Sequence, residues 1–142
     1  MTQPSVAPPI VTKESPYSVK ETADRLEQIL HDKNIQLFAR INHGQAARDN
    51  GLELEDEELL IFGDPKVGTY LMQECPEIGI ELPLKIIIWH AQKTWIGYRE
   101  PQELLTDYSI VEHRFTIKKD VGAPVYPGHR SNQKIETQTV KA

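Results

Sequence analysis

LLIFGDPKVGTYLM, residues 59–72, is the stretch on which the reading of the fold turns. Leu59–Phe62 is a short unbroken apolar run of strand length, closed by Gly63. Asp64-Pro65 then opens a helix: an Asp side chain can accept from a first-turn amide, and proline suits the first helical position because its missing N–H has no partner to lose. Val67, Leu71-Met72 and Cys75 follow as the inner stripe of that helix, and Pro76 ends it. A strand passing directly into a helix places the intervening residues at a sheet end.

Outward from that junction the pattern stays regular. Upstream, Ile35, Leu37, Ala39 and Ile41 alternate with Gln36, Phe38 and Arg40, which predicts a strand over 35–41. Asn42-His43-Gly44 leads into a short helix through Ala46-Ala47 that stops at Asn50-Gly51. ELEDEE (53–58), with five acids in six residues, is expected to be a solvated connection. Ser18 and Glu21 form an S-x-x-E capping box, with Val19, Ala23, Leu26 and Ile29-Leu30 at helical spacing and Asn34 at the helix end, where positive φ is tolerated. Ile10–Thr12 follows Pro8-Pro9 as an edge strand. Downstream, Leu84–Trp89 and Thr94–Tyr98 flank His90-Ala91-Gln92-Lys93 and predict a hairpin. Glu100-Pro101 starts a last short helix through Leu104-Leu105. The order is strand, helix, strand, short helix, strand, helix, hairpin, helix. The expected fold class is α+β: one domain over residues 10–108, a mainly antiparallel sheet with helices on one face. Residues 1–9 are expected to be flexible and 109–142 a mostly disordered basic extension, with a short strand over Phe115–Ile117 as an option.

At 142 residues, 39% hydrophobic and 26% charged, the chain has room for one core. The strongest apolar run, Ile86–Trp89, is far too short to cross a bilayer, and MTQPSVAPPI lacks the features of a secretory signal. The expectation is therefore a cytoplasmic protein with no membrane association. Cys75, the one cysteine, excludes an internal disulfide and a multi-cysteine metal cluster. Residues 1–115 hold 11 Lys/Arg against 19 Asp/Glu, a net of −8, whereas 116–142 hold 5 against 2, a net of +3. An acidic body argues against nucleic-acid binding, which needs a basic surface to displace counterions.

Four features together resemble the bacterial and archaeal domain-of-unknown-function 302 (DUF302) family. They are FARINH (38–43), LLIFGDPKVGTYLM (59–72), Leu82-Pro83 before a strand, and Tyr98 followed by Pro101. The resemblance covers residues 10–108. It implies a TBP-like fold, β-α-β(4)-α with an inserted helix, here the one over 65–75. It implies no established chemistry. This chain has Asp64, Asn34 and Glu81 where the family usually has Asn, Gly and Asp, and acids at Glu55-Asp56 where the family has a basic residue and proline.

The ligand-binding candidates are His43, Gly63, Asp64, Lys66, Gly68 and Thr69. Gly63–Thr69 sits between strand and helix like a phosphate loop, but a Walker lysine would have to occupy position 69, and Asp64 puts a carboxylate where the anion would lie. Lys66 and Thr69 leave room for a weaker anion site. His43 ends a strand before a glycine, and an imidazole there suits general acid/base work. Its alternative role is to cap the following helix. His31, His90, His113 and His129 show no ligand spacing, so no metal and no cofactor are expected. Cys75, at a helix C-terminus beside Glu74 and Glu77, reads as a small hydrophobe, not a nucleophile. Trp89, Trp95 and Tyr98 read as core or cross-strand pairs, or as the lining of a cleft.

The function expected from these residues is a non-enzymatic module binding a small molecule or a protein. The first alternative is an enzyme or redox-active protein in which His43 converges with the Gly63–Thr69 turn. The second is a homo-oligomer assembled through a sheet edge or the hairpin.

Overall fold

The computed structural model describes residues 10–113. The expectations for the first nine residues, the basic extension beyond His113 and the 115–117 strand lie outside the described residues.

Five strands form one antiparallel sheet in the order β1-β5-β4-β3-β2. They are β1 (Val11–Ser15), β2 (Gln36–Asn42), β3 (Glu57–Gly63), β4 (Leu84–Ala91) and β5 (Lys93–Tyr98). The helices are α1 (Val19–Asp32), α2 (His43–Asp49), α3 (Pro65–Glu74) and α4 (Pro101–Asp107), with a 3-10 turn over Pro76–Ile80. The α+β class and the order of elements match the expectation. Ser18 accepts from the Glu21 amide (3.1 Å), and Asn34 takes φ 57° just past α1. Asn42, rather than His43, caps α2, accepting from Gln45 N at 2.8 Å.

The core lies between the sheet and α1, α3 and α4. Leu60, Phe62, Ile86, Ile88 and Ile96 meet Ala23, Leu26, Leu71 and Leu105, all at 0–1% exposure. Each strand contributes alternate residues, so one face is sealed while the other carries the intervening side chains. Ile110 is also buried at 4% exposure, and the Glu74 carboxylate accepts from the amides of Val111, Glu112 and His113. The packed domain therefore runs beyond residue 108.

Three local expectations are corrected. The alternation in β2 breaks at Phe38, because Leu37 pairs with Phe62 and Ala39 with Ile61. This β-bulge moves every later side chain to the opposite face. Arg40 then points to the helix side, and Ile41 is 38% exposed on the open side. The acidic run is not wholly solvated: Glu57 and Glu58 enter β3, and Glu58 is buried because Arg40 Nε donates to it at 2.7 Å. The four-residue hairpin connection shrinks to a turn at Gln92 (φ 67°), since Ala91 already pairs with Lys93.

Candidate functional site

The β3–α3 junction builds an apolar cleft. Gly63 ends β3, Asp64 Oδ1 accepts from Lys66 N (2.9 Å), and Pro65 begins α3. The cleft lies between that helix, the bulged Phe38 and the Leu82–Leu84 segment, which contains a cis Leu82–Pro83 peptide. Its volume is about 240 Å³, and Val67, Leu71 and Met72 line it from the helix. A Cβ on Gly63 would make ordinary contact with Pro83 at 3.7 Å, and one on Gly68 with Leu82 and Met72 at 3.8 Å, so both glycines border the cleft directly. Met72, expected on the buried stripe, is instead 38% exposed at the cleft mouth. Val67 and Leu71, one helical turn apart, take the buried positions.

Four of the six candidate residues meet here: Gly63, Asp64, Gly68 and Thr69. The polar groups among them are already engaged, with Asp64 on the Lys66 amide and Thr69 Oγ1 donating to Pro65 O at 2.7 Å. Lys66 is exposed and does not line the cleft. His43 sits at the other end of the sheet. Gln36 is paired with Gly63 and Asn42 with Glu58, so His43 lies six residues along the strand, roughly 20 Å from the turn at about 3.3 Å per residue. The convergence required by the enzymatic alternative does not occur. Sequence reasoning missed Phe38, Leu82 and Pro83 as lining residues. All three lie in segments it had singled out, but only the bulge and the chain reversal before β4 bring them to α3.

A second depression, about 470 Å³, opens at the opposite end between Lys20, Arg40, Arg48, Asp56 and Glu57. Its cations face carboxylates: Lys20 is 2.9 Å from Asp24, Arg48 is 3.5 Å from Asp56, and Arg40 reaches Asp24, Glu27 and Glu58 at 2.7–3.0 Å. Burial disfavours the Arg40 guanidinium, but its hydrogen bonds to Glu58, Asp24 and Glu27 outweigh that and raise its pKa further. Hydrogen bonds from Lys20 and Arg40 hold Asp24 below the usual carboxylate range. This cluster is a brace between α1, β2 and β3.

Among the described residues, Glu74, Glu112 and His113 bring potential ligand atoms within 4.8 Å of one another, a grouping that sequence spacing missed because Glu74 lies far upstream. Both Glu74 oxygens already accept from backbone amides, and Tyr70 stacks on His113 at 5.3 Å between centroids. The arrangement is a clasp between α3 and the segment after α4. Cys75 Sγ lies 3.7 Å from Glu77 and packs at the edge of the core.

The family model for DUF302, a domain of unknown function, matches residues 11–123, and so includes every element of the sheet and the cleft. The chain belongs to the DUF302 family. The solved structure of an uncharacterized conserved DUF302 protein from Bacillus stearothermophilus has the same fold, with a TM-score of 0.68 at 17% identity over 95% of this chain and 98% of that one. Two further relatives are 37% identical over 103 residues. They are proteins named fluoride-specific ion channel FluC 1, from Brucella suis biovar 1 (strain 1330) and Brucella abortus biovar 1 (strain 9-941). The match takes in 71% of this DUF302 chain but 41% and 38% of theirs, so the chain spans about two-fifths of their length. Relatives named for an ion channel overturn the expectation that a membrane plays no part. Among the described residues, no helix is long and apolar enough to cross one.

Proposed function

We propose that this DUF302 domain is a non-enzymatic binding module that receives the apolar part of a small ligand in the cleft under α3. The observation that carries this reading is the composition of the cleft. The stretch that marks the family builds a concave apolar site whose two polar side chains, Asp64 and Thr69, are committed to their own helix. A pocket of that character selects by shape and apolar contact, and it holds no nucleophile–base pair. The test uses the methyl group of Met72, one of two methionines in the chain. In protein labelled at methionine methyls, titration with hexanoate and isovalerate should shift the Met72 signal saturably. Gly68→Leu, which fills the cleft without requiring positive φ, should abolish the shift. An unmoved Met72 signal, or equal binding by Gly68→Leu, refutes the reading.

A second reading is favoured by the relatives named as fluoride channels. Among the described residues no helix is long and apolar enough to cross a membrane, which fits a domain acting alongside a channel rather than as its pore. The single cysteine fits the reducing, cytoplasmic side. Deleting the protein from its host should then raise sensitivity to fluoride. Unchanged sensitivity counts against this reading.

A further inference from the structure

The sheet face opposite the helices carries Ile41, Leu59, Ile61, Ile87, Trp89 and Trp95, each exposed or half-buried. The register puts them side by side: Ile41, Leu59, Ile87 and Gly97 form one row across four strands, with Trp89 directly opposite Trp95 in the next. A Cβ on Gly97 would come within 2.9 Å of the Trp89 ring and 3.0 Å of Ile87, so the glycine lets that ring lie flat against the sheet. We propose that this open face is where two copies of the chain meet, face to face, about a twofold axis running across the strands.

Three features of the face single out a second copy as its occupant. The first is shape: the tryptophan pair stands at one end of the strands, while a hollow of about 240 Å³ lies toward the other, lined by Leu59, Ile87 and Gly97 of this face and by Glu81, Arg99 and Leu104 where it runs past the strand ends. A twofold rotation across the strands sets the ridge of each copy over the hollow of the other, as an isologous interface requires. The second is charge. Lys85 sits at the hollow end, where among the described residues it donates to the carbonyls of Glu81 and Pro83, and Glu57 sits beside Trp89 at the ridge end. The same rotation brings Lys85 of each copy toward Glu57 of the other, twice per dimer. The third is extent: five strands of five to eight residues give a face of roughly 24 by 22 Å, about 500 Å² in projection. A flat apolar face of that size is of the order of the ~800 Å² per partner of an ordinary stable interface. The cleft lies beyond the end of β3 on the α3 side and shares only Leu84 with the lining of this hollow.

Trp89 and Trp95 are the two tryptophans of the chain, so intrinsic fluorescence reports on this face directly. Full-length protein at tens of micromolar should show twice the 16.2 kDa chain mass by light scattering. Its emission should be blue-shifted and shielded from acrylamide, and dilution should reverse both together. Ile87→Asp should give a monomer with quenchable tryptophans. Because that change could disturb the sheet, a charge swap is the second arm. Lys85→Glu or Glu57→Lys alone should weaken the dimer about tenfold, as two lost pairs allow, and the double exchange should restore it. A monomer at every concentration overturns the proposal, whether its tryptophans are exposed or covered by the chain's own terminal residues. A dimer indifferent to both Ile87→Asp and the charge reversals also overturns it.

Discussion

Replacing Arg40 with methionine should cost more stability than any surface salt bridge can explain. The guanidinium is the shared partner of three carboxylates, and their exposures decide the magnitude. Asp24 and Glu27 have side chains 45% and 47% exposed, so each pair contributes about 0.5 kcal/mol. Glu58 is only 7% exposed, and Arg40 Nε is 2.7 Å from its Oε1. Removing the cation leaves that carboxylate uncompensated, a situation that costs about 3–5 kcal/mol when burial is complete and about 2–3 here, with Arg40 itself 24% exposed. The sum is about 3–4 kcal/mol. At about 4–8 °C per kcal/mol for a domain of about 100 residues, the melting temperature should fall by roughly 12–32 °C. Urea denaturation followed by circular dichroism measures the loss directly. The diagnostic arm is the double variant Arg40→Met/Glu58→Leu, which removes both buried charges and should return to within about 1 kcal/mol of the parent, because apolar replacements of a buried pair are often neutral. A loss below about 1 kcal/mol for Arg40→Met, or a double variant no better than the single, would refute the account of this cluster as a buried brace.

Leu71→Ala should cost about 2–5 kcal/mol in the same assay, since Leu71 is fully buried between α3 and the sheet; a cost under 1 kcal/mol would mean that the helix packs elsewhere. Asp64→Ala should cost about 1 kcal/mol by removing the acceptor for the Lys66 amide, with Asp64→Asn nearly neutral. Glu74 predicts a pH effect. The amides of Val111, Glu112 and His113, together with His113 Nδ1, hold its carboxyl below the ordinary range. The folded protein therefore takes up this proton less readily than the unfolded chain. The stabilisation is complete above the unfolded carboxyl value of about 4.3 and is lost as pH falls through the lower folded value. Glu74→Gln should flatten the acid limb of the stability profile in that window, and an unaltered limb would show that the clasp carries no such linkage.

The elements and their order were legible in the sequence because each is announced by local chemistry. Ser18, Asn34, Asp64-Pro65 and Pro101 mark helix ends, and the strands between them read as period-two or continuous apolar runs. The family block also lies at the end of the sheet where the cleft opens. It could not show that His43 lies at the opposite end. Position along a strand becomes position in space only through the pairing of Gln36 with Gly63 and Asn42 with Glu58.

Three things were decided only by the tertiary structure. A bulge at Phe38 reversed the alternation of β2, which a one-dimensional pattern cannot show, because the extra residue is defined by the partner strand. Glu58 left an acidic run for the interior because Arg40, 18 residues away, was there to receive it. The tryptophans, read in sequence as core or cross-strand pairs or as cleft lining, form a cross-strand pair, and only the register places that pair on the face without helices. The chain by itself determined which segments are strands and helices, since capping and periodicity act over a few residues. Which side of the sheet each residue occupies, and what it meets there, is set by strand register and by partners far along the chain.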